Sequence, residues 1–161
     1  MKHKGLLYFV TCVAIVAFGV IHAQILQRSV PAEVIAVAEY SDLPVVTDDR
    51  QATQWIYENI KYDTARLIAK TDDVQPYQVT LSRRAGICKD TAALLLTIVE
   101  RELHEDGEFV VLKLWGVQDG TLHAVVRVNG GYLDPTTGRI SSDPPGAIVA
   151  VLPLDEVWCW K

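Results

Sequence analysis

Cys88, His123 and Asp134 supply a thiol, an imidazole and a carboxylate in that chain order. These are the groups from which thiol acyl transfer is built: a thiolate attacks a carbonyl carbon, an imidazole carries the proton, and a carboxylate fixes the imidazole in one orientation. A thiol in the first turn of a helix has its pKa lowered by the unpaired amides and the macrodipole, more so beside an imidazolium. The amide of a residue in that position has no intrahelical acceptor, so it can donate to a developing oxyanion. Gly86, two positions before Cys88, is expected to leave room for an approaching substrate backbone. For the side chain that completes the oxyanion hole, Trp55, Gln78 and Trp115 are unranked candidates.

The elements that must position these groups follow from hydrophobic periodicity. Ala92, Leu95, Leu96, Val99 and Leu103 form an apolar stripe that predicts a core helix from Cys88 to about His104, ended by Gly107. Strand-like runs come next, at Phe109 to Trp115, Leu122 to Val128, Tyr132 to Asp134 and Ala147 to Leu152. If Asn129 and Gly130 make a two-residue turn, Asp134 lies opposite Val125 and becomes a diagonal neighbour of His123 on the same face. Such diagonal Cβ atoms are roughly 7 Å apart or a little less, within reach of a carboxylate that holds a ring nitrogen. A three-residue turn through Gly131 would send Asp134 to the other face and break the arrangement.

Upstream, Thr47 and Asp48 offer caps for a helix over Asp49 to Ile60, with Gln51 as capping-box partner and Ala52, Trp55, Ile56 and Ile60 on one face. Arg66 to Lys70 reads as a helical turn, Asp72, Asp73 and Pro76 mark a loop, and Leu81 to Gly86 leads into the central helix. Helices first and antiparallel strands second is an α+β order. Trp158 and Trp160 are expected to seal the edge of the core.

Three separated runs, Arg84-Ala85-Gly86-Ile87-Cys88-Lys89-Asp90-Thr91-Ala92, Leu122-His123-Ala124-Val125-Val126 and Gly131-Tyr132-Leu133-Asp134-Pro135-Thr136, together resemble the core of the transglutaminase-like superfamily. The likeness covers about Thr47 to Ile140 and points to its small bacterial members. It implies a papain-like α+β fold with a Cys-bearing central helix packed on an antiparallel sheet, Cys88 as nucleophile, His123 as base and Asp134 as its orienting partner. Val125 stands where that superfamily often has an aromatic residue. The chain is too short for the extra β domains and calcium sites of the animal enzymes, so calcium dependence is not implied.

The whole chain has 161 residues, 50% hydrophobic and 22% charged, which fits one ordinary globular domain and excludes low complexity. Its 15 basic residues against 20 acidic ones argue against nucleic acid as a partner. Lys2, His3 and Lys4 precede an uncharged apolar run from Gly5 to Ile21, followed by Ala23, in the order of an export signal. Residues 1–23 are therefore expected to be either a signal peptide or an uncleaved anchor, because residues 5–26 are long enough to cross a bilayer. Residues 24–46 read as a tether and 47–161 as the domain, placed in the periplasm or on the outer face of the inner membrane.

Of the three cysteines, Cys12 falls in the apolar segment, and a bridge between Cys88 and Cys159 would disable the nucleophile. There is no Cys-x-x-Cys, and Cys88, His123 and Cys159 lack zinc-ligand spacing, so no metal or cofactor is expected. Asp90 reads as a dipole-favouring residue of the first helical turn and Arg83 and Arg84 as a solvated approach to the site. The expected partner is a protein or peptide substrate, and the oligomeric state is open. Water as acyl acceptor makes a peptidase or amidase, the favoured reading. A lysine amine makes a crosslinking enzyme, and a membrane-tethered module that holds a peptide without cleaving it is the non-enzymatic alternative.

Overall fold

The computed structural model describes residues 43–70, 73–116 and 121–158. The chain divides into two units, Met1–Glu39 and Tyr40–Lys161, and every described residue belongs to the second. The expected export signal and most of the tether lie outside the described residues, as do Asp72, Cys159 and Trp160. Among the described residues, no helix is long and apolar enough to cross a membrane.

Helix α1 spans Asp49–Asn59 and starts where expected, because the Asp48 carboxylate accepts the Gln51 amide. Gln51 reaches back to the Thr47 amide at 2.7 Å rather than to Asp48, so the reciprocal contact is made one residue earlier than in a capping box. Ala52, Ile56 and Ile60 are buried, and Trp55 packs at the core margin. A two-residue strand β1, Lys61–Tyr62, follows, and then α2, Thr64–Ile68. The sequence pattern did not reveal α3, Tyr77–Arg83, which begins after Pro76 in a segment whose polar residues mask its period. Arg84 then takes a left-handed conformation, and β2, Ala85–Gly86, pairs parallel with β1.

The central helix α4 spans Cys88–Arg101. Its apolar stripe is wider than predicted, since Ala93, Leu94 and Ile98 are also fully buried. A helix that is apolar on nearly all sides must be covered on nearly all sides, and α4 packs against α1, α3 and strands of the sheet. It ends earlier than expected. Leu103 and Glu105 donate to the carbonyls of Ile98 and Val99, His104 takes the left-handed conformation, and Gly107 opens the next strand instead of stopping the helix.

Strands β3 (Gly107–Leu114), β4 (Leu122–Val128), β5 (Gly131–Asp134), β6 (Arg139–Ser141) and β7 (Gly146–Leu152) form one sheet in the order β6-β5-β4-β3-β7. Every neighbouring pair is antiparallel. Phe109, Val111, Ala124, Val126 and Leu133 join the main core with α4, while Val110, Leu112, Val125 and Tyr132 form a second cluster, as period-two alternation requires. A last helical turn, α5 (Leu154–Val157), buries Val157 completely. Trp158 remains 37% exposed, so the core edge is closed by Val157 and not by that tryptophan.

Candidate active site

The β4–β5 hairpin decides whether imidazole and carboxylate meet. Asn129 and Gly130 both have positive φ, the requirement of a two-residue type I′ turn, and the register pairs Val128 with Gly131 and Val126 with Leu133. Continued by one residue, that register sets Asp134 opposite Val125, diagonal to His123, in the two-residue alternative of the hairpin argument. The side chains close the remaining gap, and His123 Nε2 lies 3.1 Å from Asp134 Oδ2.

Asp134 serves two structures with its two oxygens. Oδ1 accepts the Thr136 amide at 2.9 Å and the Thr136 hydroxyl at 2.6 Å, an Asx-type turn across Pro135. Oδ2 is left for the imidazole. Burial would raise the carboxyl pKa, but the hydrogen bonds from His123 and Thr136 outweigh it and bring it down to about 2. The acid is therefore ionised whenever the ring needs it.

Cys88 opens α4, where the helix N-terminus meets the start of β4. Its thiol is partly buried and free. Nε2 of His123 is turned to Asp134, and the His123 ring and the backbone amides of Ala124 and Lys89 stand near enough to the sulfur to act on its ionisation. Burial pushes the thiol pKa up, yet the His123 hydrogen bond and charge with the two amides bring it below its ordinary value. Burial acts on His123 in the opposite sense and is again outweighed: the bonds to Asp134 and Cys88 raise the ring to about 9. Both shifts act in the direction of a thiolate–imidazolium pair.

Beneath this pair lies a charged cluster that sequence reasoning undervalued. Asp90 is wholly buried. It accepts from the Ile87 amide at 3.0 Å, the Gln75 amide at 2.7 Å and Arg66 Nε at 2.9 Å. The dipole-favouring role thus extends to tying the loop before α3 and helix α2 to the start of α4. The Arg66 guanidinium also offsets a negative charge that would otherwise oppose the thiolate.

Gly86 has a different reason from the one expected: a Cβ there would stand 2.9 Å from Asp90 Cβ and 3.3 Å from Thr80 Cγ2. It admits the Asp90 cluster, not a substrate backbone. Arg83 likewise is no free solvated charge, since it bonds Asp63 Oδ2 and Gln75 Oε1, both at 2.8 Å. Arg84 lies over the Trp55 ring, 5.1 Å from its centroid.

Of the three candidate oxyanion side chains, Trp115 is 67% exposed just beyond β3, Trp55 carries the Arg84 guanidinium over its ring face, and Gln78 lies half-buried in α3. Tyr62, not among those three, stands close enough to Cys88 that, after burial, the Cys88 charge is the next cause raising its phenol above the ordinary pKa. Nothing in its local sequence marks it; only the parallel pairing of Tyr62 with Gly86 sets it there. A cleft of about 440 Å³ opens beside these groups, lined among others by Tyr57, Lys61, Tyr62, Thr91 and Thr136. Among the described residues, no group of three or more His, Cys, Asp or Glu side chains is arranged to hold a metal ion.

A crystal structure of a candidate cysteine protease from Cytophaga hutchinsonii is similar to this chain, with a TM-score of 0.51 and 21% identity over 70% of this chain. This chain spans 39% of that protein's length. The likeness shows the fold: a papain-like, transglutaminase-like arrangement of helices on an antiparallel sheet. No curated protein matches the chain. A family model described as a transglutaminase-like domain matches residues 47–133, a span that includes Cys88 and His123 and stops one residue short of Asp134. With more than half of its length matched in this way, the chain belongs to the transglutaminase-like domain family.

Proposed function

We propose that the protein is an exported thiol enzyme that cleaves amide bonds through an acyl-thioester on Cys88, with His123 as acid–base group and Asp134 as its orienting partner. The observation that carries the reading is the contact chain from the Cys88 thiol through the His123 ring to Asp134 Oδ2, the last link at 3.1 Å. In the first step the thiolate adds to the carbonyl carbon and the C=O electron pair moves onto oxygen. Collapse of that intermediate breaks the C–N bond, and the imidazolium gives its proton to the departing amine. Neutral His123 then takes a proton from water, which adds to the thioester and releases the acid and the thiolate. Asp134 stays ionised throughout and stabilises the imidazolium.

Water is the favoured acceptor, because it is always present to reach the thioester. Export rests on the basic flank and apolar run of residues 2–21. The protein would face a protein or peptide substrate outside the cytoplasm, on the outer face of the inner membrane if residues 5–26 are retained as an anchor.

The test uses p-nitrophenyl acetate as acyl donor. The expected result is a burst of p-nitrophenolate, an acetyl group on Cys88 by mass spectrometry that hydroxylamine removes, and slow turnover to acetate. Adding the primary amine monodansylcadaverine should leave most of the acyl flux going to water; flux diverted to the amine makes the enzyme a crosslinker. Absence of acylation at Cys88 would leave the fold as a peptide-holding module.

A further inference from the structure

We infer that Thr136 is a positioning residue: by giving its hydroxyl proton to one carboxylate oxygen of Asp134, it keeps the other oxygen aimed at the His123 ring. The inference deepens the proposed function and rests on it.

Strand pairing alone does not aim that carboxylate. β5 ends at Asp134, and the register leaves it diagonal to His123, with roughly 7 Å between Cβ atoms for the side chains to close. The last torsion of an aspartate is broad and two-fold, so a strand position leaves the plane of the carboxylate undetermined.

The connection from β5 to β6, residues 135–138, settles it. Pro135 has no N–H to offer and holds the residue before it in the extended region. The first amide beyond it is that of Thr136, which donates to Oδ1 at 2.9 Å. Any residue at 136 would supply that amide. The hydroxyl is what threonine adds, and it donates to the same oxygen at 2.6 Å, the length of a charge-assisted O–H···O⁻ bond. With two donors on Oδ1 the plane is fixed, and Oδ2 stands 3.1 Å from His123 Nε2. The turn also has a bond of its own, from the Thr137 amide to the Asp134 carbonyl at 3.3 Å, so its closure does not depend on the hydroxyl. Aim matters here because a misplacement of about 1 Å in a reacting array can cost on the order of 10²-fold in rate.

Thr136→Ser and Thr136→Ala differ from each other by the hydroxyl alone. With p-nitrophenyl acetate, Thr136→Ala should give a burst at least about fivefold slower than the wild type, toward the tenfold or so that one hydrogen bond to a charged group is worth. Thr136→Ser should stay within about twofold of the wild type. In an NMR titration the His123 midpoint should fall by about one unit in Thr136→Ala and keep its wild-type value in Thr136→Ser. A role in packing alone would lower the melting temperature and leave that midpoint where it is.

Burst rates and midpoints that match between the two variants, whether both unchanged or both reduced, would overturn the assignment. So would a slower burst without a shifted midpoint, or a shifted midpoint without a slower burst. A Thr136→Ala variant that does not fold would overturn it as well, because the hydroxyl would then be a structural group. A wild type that gives no burst removes the proposed function, and the His123 midpoints alone then decide whether the hydroxyl aims the carboxylate.

Discussion

Asp90, in the first turn of the helix that Cys88 opens, and Asp134, bonded to the His123 ring, are carboxylates whose surroundings differ in kind. Asp90 has no exposed surface and is bonded to a fixed cation, Arg66, and to the amides of Gln75 and Ile87. These bonds join three segments of the chain at the start of α4, and the use of the cluster is mechanical. Asp134 keeps 16% of its side chain exposed and gives one oxygen to a ring that titrates at about 9. A buried, fully bonded carboxylate holds the helix start still, and a carboxylate with a titratable partner tunes the group that moves protons.

Breaking the second cluster should cost rate without fold. Cys88→Ala should abolish the p-nitrophenolate burst, and His123→Ala should lower it by about 10⁴-fold, as loss of a member of such a triad does. Both should leave the circular-dichroism spectrum unchanged.

Breaking the first cluster should do the reverse. Asp90→Ala removes the acceptor of two amides and the buried carboxylate of the Arg66 pair, and removal of one partner of a buried ion pair typically costs about 3–5 kcal/mol. The checking measurement is the denaturant midpoint, which should fall far more than in Asp134→Ala. If the two alanine variants lose stability equally, the mechanical and proton-tuning roles are not separated as described.

Asp134→Asn sharpens the contrast at smaller scale. It keeps the shape and the Thr136 turn but removes the charge that favours the imidazolium, so acylation should fall by about 10²-fold or more. An NMR titration of the His123 ring should move from a midpoint near 9 in the wild type toward or below the ordinary 6.5. Because folding raises this pKa, the stabilisation it reflects is fully present below about pH 6.5 and is lost as the pH rises through about 9. The stability gap between wild type and His123→Gln should shrink across that interval in thermal melts.

Gly86→Ala should have the smallest effect, about 1–3 kcal/mol from crowding against Asp90 and Thr80. Its expected signature is a lowered melting temperature with the acylation rate reduced no more than a few-fold. A loss of rate at unchanged stability would instead favour the substrate-approach role that the sequence suggested.

How far the sequence disclosed all this depends on the range of the interactions involved. The hairpin that brings His123 and Asp134 together is closed by Asn129 and Gly130, adjacent residues whose turn chemistry fixes register locally, so the diagonal relation could be worked out before any coordinates. The α4 helix was likewise written in its own apolar residues. Helix α3 was not, because Gln78, Thr80 and Ser82 break its hydrophobic period and its bonding partners lie elsewhere. Asp90 was recognised as a helix-start residue, but its pairing with Arg66 spans 24 positions and the loop contact with Gln75 spans 15. Tyr62 carries no local signal for the same reason: its place near Cys88 comes from a parallel pairing of two-residue strands, too short to leave a pattern.

The central claim is that His123 and the helix start lower the pH at which Cys88 becomes a thiolate. The direct measurement is the rate of iodoacetamide alkylation at pH 6, read at Cys88 by peptide mapping so that Cys12 and Cys159 do not contribute. The expected rate is at least tenfold above that of glutathione under the same conditions, falling toward the glutathione value in His123→Ala. A wild-type Cys88 that alkylates no faster than glutathione would contradict the account.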